Sequence, residues 1–544
     1  MELTWLLLLA TLILSTTLIF FHGKIGSSAT GNKKRRRLPP GPATVPVIGN
    51  LLWVTNSGMD IMRTVRRLHA RHGPLLGLRM GSRLEVIVAD RRLAHAALVE
   101  SGAAMADRPE FVSRGLLGLD SATISNSNYG PLWRLFRRNF VAEVAHPARL
   151  RQFAPARAAV LAELTDKLRR RQEDGTDAAG AGTIVQTFQY AMFFLLVAMC
   201  FGELVDERAV RDIAAAQRDL LIYSSKKLRV FAFLPAVTTR LFAGRMKAML
   251  AMRQRLKGMF MPLIDARRKR KNLVHGDDGG VAAAPPPPAE KVTTLPHSYV
   301  DTLLDLRIND DNCGERALTD DELVALCSEF LNGGTDTTST ALQWIMAELV
   351  KNPAIQDKLH DEIEAVVTSE SGKGGSHQVS EEDLHKMPYL KAVVLEGLRR
   401  HPPGHFVLPH APAEDMELSG YTIPKGTLVN FAVADISTDE KTWERPREFV
   451  PERFLEGGDG EGVDITGTRE IRMMPFGAGR RICPGLGVAT LHLEFFVANL
   501  VAAFEWREEE GEEVDVDGEK LEFTVVMEKP LRARLLPRGV VITA

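Results

Sequence analysis

The sequence carries almost no net charge and few cysteines, and each shortage excludes a class of protein. Its 544 residues have a formal net charge of −1, so the charge balance gives no indication of a nucleic-acid partner. The cysteines are irregularly spaced and form neither a disulfide framework nor a zinc motif; they are Cys200, Cys313, Cys327 and Cys483. Reduced thiols facing the cytosol are the simplest interpretation. With 45% hydrophobic residues, the chain has ample material for a large core.

One long apolar run without charges lies near the N-terminus. Residues 3–21 approach the ~20 residues needed to cross a bilayer. Glu2 precedes this run and a basic KKRRR cluster follows it, which favours a retained anchor over a cleaved signal peptide. The prolines that come next predict a stiff hinge. We therefore predict a membrane anchor over residues 1–23, a basic and proline-rich hinge over 24–42, and a globular region over 43–544.

The hydrophobic pattern after the hinge is mostly helical, with a few short strands. We predict helices over residues 59–71, 91–100, 148–171, 185–201, 207–224, 241–271, 319–351 and 486–504. We predict a hairpin over 75–89 and strands over 421–424, 428–432 and 523–528. A long loop over 111–129 offers Phe111 and Leu116 to a pocket. An Ala/Pro-rich stretch over about 272–297 predicts a disordered surface loop.

A glycine- and arginine-rich loop, PFGAGRRICPG over residues 475–485, precedes the last predicted helix. Pro484 suits the first position of that helix, which predicts Cys483 as the N-cap. The helix dipole, Arg480 and Arg481 would then favour the thiolate. A thiolate held in this way can be a nucleophile, a metal ligand or a buried small side chain, and the residues alone leave all three open.

The predicted helix over 319–351 begins at a capping box formed by Thr319 and Glu322. Its middle, FLNGGTDTTST, combines glycines with a run of hydroxyl residues, all poor helix formers. Such hydroxyls can bond the preceding carbonyls and open the turn. The segment therefore predicts either a groove for oxygen and water or a flexible kink.

Three smaller patterns bring polar side chains together. Trp133 and Arg137 are four residues apart and share a helix face, as a surface aromatic–cation pair also would. Glu396 and Arg399 can pair across one turn, although such pairs contribute little when exposed. His410 is a lone histidine, which is more often structural than functional.

The segment Phe476-x-x-Gly479-x-Arg481-x-Cys483-x-Gly485 resembles the cysteine-loop signature of the cytochrome P450 family. The GGTDTT segment over 333–338 and the pairs at 133/137 and 396/399 follow the family's order along nearly the whole chain. The chain is similar to plant A-type microsomal class II monooxygenases of secondary metabolism. The resemblance implies a cytochrome P450 fold, mainly α with small β-sheets (α+β). It also implies a single large haem-binding domain behind an N-terminal transmembrane helix.

The resemblance further implies a haem b group, iron protoporphyrin IX, with the Cys483 thiolate as axial iron ligand. Such a ligand pushes electron density toward the iron. The other implied haem contacts are Phe476 beside the sulfur and Arg481, Trp133, Arg137 and His410 at the propionates.

The family's remaining motifs imply roles in oxygen chemistry, stability and substrate binding. Thr337, supported by Asp336, would relay protons, because a hydroxyl is not itself an adequate acid at neutral pH. A buried structural network would join Glu396, Arg399 and Arg453. The candidate substrate contacts are Phe111, Leu116, Leu331, Gly333, Phe406, Val407 and Val525.

The implied reaction inserts one oxygen atom of O2 into a lipophilic or amphipathic small organic substrate and reduces the other to water. Electrons would come from NADPH through a membrane-bound reductase, consistent with the lack of a phosphate-binding glycine loop in this sequence. Arg134, Arg138 and Arg472 are candidates for the docking face. The chain would sit in the endoplasmic reticulum membrane, in contact with lipid through one span, with its catalytic domain in the cytosol.

Two other functions stay open from the sequence. A haem-thiolate hydroperoxide isomerase or dehydratase would need neither O2 nor NADPH, but the intact Asp336–Thr337 pair argues against it. A membrane-anchored binding protein without chemistry would contain no haem.

Overall fold

The computed structural model describes residues 37–45, 49–50, 61–81, 83–110, 122–174, 183–232, 235–275, 295, 297–310, 314–370 and 378–538. The predicted membrane anchor, Phe111, Leu116 and most of the predicted Ala/Pro-rich loop lie outside the described residues.

Helices make up most of the described chain. In order, they are α1 Ile61–His72, α2 Arg91–His95, α3 Pro131–Glu143, α4 Pro147–Leu150, α5 Ala154–Asp174, α6 Ile184–Phe201, α7 Glu207–Lys227, α8 Pro235–Leu241, α9 Ala243–His275, α10 Tyr299–Asp305, α11 Asp320–Lys351, α12 Pro353–Glu370, α13 Pro388–Arg400, α14 Val433–Ser437 and α15 Leu486–Ala503. A π turn, Ala96–Glu100, continues α2, and a 3-10 turn, Arg151–Phe153, separates α4 from α5. The predicted helix over 148–171 is therefore two helices, and α9 continues past its predicted end to His275, with Pro262 inside it.

The strands are short and form small sheets. They are β1 Leu75–Met80, β2 Arg83–Val88, β3 Arg307–Asp310, β4 Gly314–Ala317, β5 Met416–Leu418, β6 Tyr421–Ile423, β7 Leu428–Phe431, β8 Phe504–Arg507, β9 Glu519–Leu521, β10 Val525–Met527 and β11 Arg534–Pro537. The predicted hairpin is antiparallel, with Leu75 opposite Val88, and β7 joins β2 in parallel. The pairs β3–β4, β5–β6, β8–β11 and β9–β10 are antiparallel two-stranded sheets. Mainly helical architecture with small sheets is thus confirmed.

Helix α11 is the long central helix of the main hydrophobic core, where most of its C-terminal half is buried. It starts as predicted, since the Glu322 amide donates to Thr319 Oγ1 at 3.3 Å and the Thr319 amide to Glu322 Oε2 at 2.7 Å. Its 32 residues extend ~48 Å, enough to cross the domain. This helix therefore packs against several other helices, among them α6, α13 and α15.

Two described helices, Ile184–Phe201 and Leu486–Ala503, are long and apolar enough to cross a membrane. Their most apolar windows are 67% and 56% buried inside the protein. Burial of this extent identifies both as core helices, and both pack against α11.

Candidate active site

The cysteine loop, residues 475–485, is a tightly bonded turn. The Cys483 amide donates to the Phe476 carbonyl at 2.8 Å, and the Gly477 amide donates to the Met474 carbonyl at 2.9 Å. Gly479 has φ +67°, and a Cβ there would lie 1.9 Å from the carbonyl oxygen of Leu98. Only glycine fits such an approach. The loop is therefore held against the π turn that follows α2.

The predicted N-cap is wrong: α15 begins at Leu486, and its N-cap is Gly485 rather than Cys483. Gly485 adopts φ −90° and ψ 13°, outside the helical region, so Pro484 and Gly485 form a turn before the helix. The first helical hydrogen bond runs from the Ala489 amide to the Gly485 carbonyl at 2.8 Å. The thiol thus precedes the helix by a turn.

The sulfur of Cys483 has different neighbours from those predicted. Desolvation raises the pKa of the Cys483 thiol, while a backbone hydrogen bond at Gly485 and the charge of Arg137 lower it. Arg480 instead donates to the Tyr129 hydroxyl at 2.7 Å, and Arg481 donates to backbone carbonyls, including that of Ala106 at 2.6 Å. Arg137, which lies far away in sequence, is therefore the cation that favours the thiolate.

Trp133 is the centre of an aromatic–cation cluster beside the cysteine loop. The guanidinium groups of Arg137 and Arg481 lie 5.4 and 4.6 Å from its ring centroid. Its indole N–H donates to the Ile124 carbonyl at 3.0 Å, and Arg481 donates to the same carbonyl at 3.1 Å. Burial lowers the pKa of Arg137, and the structure shows no hydrogen bond from Arg137 to another described residue. A half-buried guanidinium without such an acceptor is chemically suited to bind an anion.

His410 adds a second polar group without a proper partner. It is buried, and neither ring nitrogen makes a hydrogen bond of ordinary geometry to a described residue, although the Leu408 carbonyl lies close. Burial, with help from Arg108 and Arg481, lowers the pKa of His410 to about 3. Buried polar groups are nearly always satisfied, so such a residue indicates an occupant. The chemistry of His410, Arg137 and Cys483 suits a group that carries both carboxylates and iron, such as haem.

The middle of α11 presents an open face. The Thr337 hydroxyl donates to the Gly333 carbonyl at 2.7 Å, as the run of hydroxyl residues predicts. Around Gly333, no described atom lies within 4 Å of a built Cβ, apart from its chain neighbours and its own helix backbone. The helix nevertheless stays α-helical throughout, so the groove needs no kink.

Asp336 points to partners that the sequence did not reveal. Its Oδ1 accepts from Arg218 at 3.2 Å and from Gln189 at 3.3 Å. Burial raises the pKa of Asp336, and Arg218 opposes that rise. Adjacent helical residues are 100° apart, so Asp336 and Thr337 face different directions. Support of Thr337 by Asp336 stays a prediction.

The predicted network behind the cysteine loop is present and buried. Glu396 accepts from Arg399 Nε at 2.7 Å, from Arg453 Nε at 3.1 Å and from the Val450 amide at 2.9 Å. A further acid, Asp459, accepts from Arg453 at 2.9 Å. Two buried arginines that share one glutamate leave one positive charge unpaired. Counting these charges in the sequence could have indicated that a second acid, here Asp459, is needed.

Trp443 is the other residue of this region that motif reasoning missed. Arg399, Arg453 and Arg472 lie 5.3, 5.7 and 4.8 Å from its ring centroid. Its N–H donates to the Arg472 carbonyl at 3.2 Å, only a few residues before the cysteine loop. Trp443 therefore connects the buried network to the loop.

The candidate substrate contacts that the structure describes differ in environment. Gly333 is exposed, and Phe406 and Val407 are half-buried. A Cβ on Gly477 would approach Val407 to 3.6 Å, which places this valine beside the cysteine loop. Leu331 and Val525 are buried, Leu331 within the main core.

Comparison with known proteins matches this arrangement to one family. The family model for cytochrome P450 covers residues 39–535. The chain is 42% identical to Cytochrome P450 89A9 of Arabidopsis thaliana over 92% of this chain and 94% of that protein. It is 30% identical to flavonoid 3'-monooxygenase of the same plant over 91% of this chain and 90% of that protein.

Solved structures agree on the fold. A zebra fish cytochrome P450 determined with progesterone superimposes with a TM-score of 0.64 at 22% identity, over 90% of this chain and 99% of that one. At this identity the likeness concerns the fold. The functional assignment rests on the family model and the curated relatives, one of which is named a monooxygenase, and membership of the family implies a haem cofactor. The chain belongs to the cytochrome P450 family and is a haem-dependent cytochrome P450 monooxygenase.

Proposed function

We propose that this enzyme binds haem b through Cys483 and inserts one oxygen atom of O2 into a lipophilic or amphipathic small organic molecule. Electrons come from NADPH through a membrane-bound cytochrome P450 reductase. The observation that carries the proposal is the set formed by Arg137, whose charge acts on the Cys483 thiol, and the buried His410, neither of which makes a hydrogen bond of ordinary geometry to a described residue. Haem propionates complement that set in charge and in hydrogen bonding.

Each side chain has a distinct part in this proposal. The haem supplies the iron at which O2 is reduced, and Cys483 ligates that iron. Arg137, Arg481, Trp133 and His410 hold the propionates, while Phe476 packs beside the sulfur. Arg481 and Trp133 both donate to the Ile124 carbonyl in this structure. With haem bound, the same two groups would donate to its carboxylates instead.

The substrate binds between the open face of α11 and the segment around Phe406 and Val407, which lies beside the cysteine loop. Gly333 supplies space on the helix, and Phe406, Val407 and Val525 supply apolar contact, as is usual in small-molecule pockets. Phe111 and Leu116 complete the proposed contacts from outside the described residues. Leu331, a buried residue of α11, contributes a further apolar contact from the helix itself.

Membrane attachment completes the proposal. Residues 1–23 form a single span in the endoplasmic reticulum membrane, and residues 24–42 form the hinge. The basic cluster within the hinge lies on the cytosolic side, as positive residues next to a span usually do. The catalytic domain, residues 43–544, then faces the same compartment as the reductase.

The test uses the full chain in microsomes with a reductase. We expect a thiolate-type Soret band in the reduced carbon monoxide difference spectrum, and NADPH- and O2-dependent conversion of a compound in a metabolite screen. Turnover of a hydroperoxide without NADPH, and none with it, would contradict the proposal and favour an isomerase or dehydratase.

We expect Thr337→Ala to uncouple oxygen consumption from product formation. The variant loses a proton relay, so product per NADPH falls on the order of 10²-fold while peroxide release rises. Substrate binding, read from the haem absorbance, stays unchanged. Thr335→Ala is the matched control, because it loses an equivalent bond, from its hydroxyl to the Leu331 carbonyl at 2.7 Å. Full coupling in Thr337→Ala would remove Thr337 from the mechanism.

Reductase docking is proposed at Arg134 and Arg138, which are exposed on α3, the helix that carries Arg137. Arg472, the third predicted candidate, is half-buried and donates to the Thr442 carbonyl at 3.1 Å as well as stacking on Trp443. Its internal contacts make it a weaker docking residue.

Charge reversal at Arg134 and Arg138 should slow reduction of the haem by the reductase. We expect a loss of about tenfold at low ionic strength that shrinks as salt is added, because exposed charges are screened. Arg170→Glu on α5 is the control, since Arg170 is also an exposed helical arginine. Equal reduction rates for the reversed and control variants at low salt would contradict the docking proposal.

A further inference from the structure

One face of α11 carries a stripe of polar and aromatic side chains. Asp336, Thr340, Trp344 and Glu348 are spaced by four, so each lies next to the one before it, and the stripe turns around the helix by about 40° per step. Thr337 is turned by about 100° from Asp336, but it lies almost two full turns before Trp344, so Thr337 and Trp344 face nearly the same direction. The stripe therefore runs close to the open face at Gly333 and Thr337.

Thr340 and Trp344, in the middle of the stripe, make hydrogen bonds to the β9–β10 hairpin. Thr340 Oγ1 and Thr524 Oγ1 lie 2.8 Å apart, both buried, and Trp344 Nε1 donates to the Val525 carbonyl at 2.9 Å. On the other side, the Val525 amide donates to the Pro403 carbonyl at 2.9 Å. The hairpin is thus bonded both to α11 and to the segment that continues to Phe406 and Val407.

Trp344 is itself held in place by the buried His401. Its ring stacks on His401, with centroids 4.1 Å apart and an interplanar angle of 4°. His401 Nε2 lies 2.6 Å from Glu348 Oε1, and Arg400 Nε lies 3.2 Å from the same oxygen. The indole N–H is therefore held in one direction.

The tip of the hairpin is bonded to another element. Glu522 lies 3.5 Å from Arg218 of α7, which also contacts Asp336 at 3.2 Å. The hairpin itself has only three paired residues on each strand. An isolated hairpin of this size is marginal in water, so its position depends on these outside contacts, of which the two to Thr340 and Trp344 are buried.

We propose that Thr340 and Trp344 are positioning residues that pre-organise the β9–β10 hairpin as a wall of the haem pocket. This inference rests on the proposed function, in which Val525 contacts the substrate. A ligand large enough to touch the wall benefits because the wall is already ordered, whereas a small ligand at the iron does not. The pair therefore determines how well the pocket discriminates between large and small ligands.

The test compares two iron-binding probes in the haem-loaded enzyme by spectral titration. Imidazole is too small to need the wall, and clotrimazole, an imidazole that carries three aromatic rings, fills the pocket. We expect Thr340→Val and Trp344→Phe each to weaken clotrimazole binding about five- to tenfold, the effect of one buried hydrogen bond. Imidazole binding stays within about twofold. Ser339→Ala is the control, since the buried Ser339 hydroxyl bonds to the Asp336 carbonyl within α11 and, among the described residues, to nothing outside that helix.

Two further measurements separate positioning from general damage. Thr524→Val removes the same bond from the opposite side, so combining it with Thr340→Val should cost no more than either change alone. Amide hydrogen exchange should quicken at residues 519–527 in Thr340→Val and not in Ser339→Ala. Equal changes for both azoles, additive effects, or unchanged exchange in the hairpin would overturn the inference. Failure of wild-type protein to bind imidazole would instead overturn the proposed function.

Discussion

Replacing Cys483 with serine removes the thiolate-type spectrum of the reduced carbon monoxide complex and lowers oxygenase activity to background. The neutral serine hydroxyl cannot supply the electron density that a thiolate gives to haem iron. The fold should survive, because the loop is held by backbone bonds, such as that from the Cys483 amide to the Phe476 carbonyl, that need no sulfur. Circular dichroism and thermal unfolding check that the variant is folded.

Cys327→Ala is the matched control for this experiment. Cys327 is also a reduced cysteine, but it is buried in the main core. We expect a modest loss of stability and an unchanged spectrum. A Cys483→Ser protein that keeps both the thiolate-type band and its activity would contradict the assignment of the ligand.

Glu396→Ala should destabilise the protein by about 3–5 kcal/mol and prevent it from retaining haem. The change leaves the buried Arg399 without its acid, and removing one partner of a buried ion pair strands the other charge. Arg399 would keep only carbonyl acceptors, among them Ser437 at 2.9 Å and Pro446 at 2.8 Å. Arg453 is better protected, because Asp459 still pairs with it. Denaturant unfolding and the haem-to-protein ratio measure the two effects.

Glu448→Ala is the control for Glu396→Ala. Glu448 pairs with Arg445 across one turn in the same region, but the two side chains are 58% and 62% exposed. Exposed pairs contribute about 0–1 kcal/mol, so this variant should behave like the wild type. Normal haem content and stability in Glu396→Ala would show that the network does not support the cysteine loop.

Sequence reasoning worked best where a local signal determines a local structure. Three examples are the capping box at Thr319, the long helix after it and the hairpin near Gly81. Each depends on preferences between residues close together in the sequence. It was wrong at the start of α15, because the backbone conformation of Gly485 has no side-chain signature. Glycine accepts many conformations, so the turn before the helix could not be predicted.

Contacts between distant segments were beyond reach without a family motif to indicate them. Arg218 meets Asp336 and Trp344 meets Val525 only because α7 and the β9–β10 hairpin pack against α11. Trp443 was not singled out, although three arginines surround it. In each case, the partner is defined by tertiary packing rather than by spacing.

The spacing of Thr337 and Trp344 along α11 has a consequence for how this chain can tolerate change in length. Inserting a single residue between Thr337 and Thr340 would rotate everything downstream by about 100° and advance it by ~1.5 Å. The hydroxyl at Thr337 would keep its direction, while Trp344 would swing away from the Val525 carbonyl. This part of α11 should therefore tolerate amino-acid substitutions far more readily than insertions or deletions.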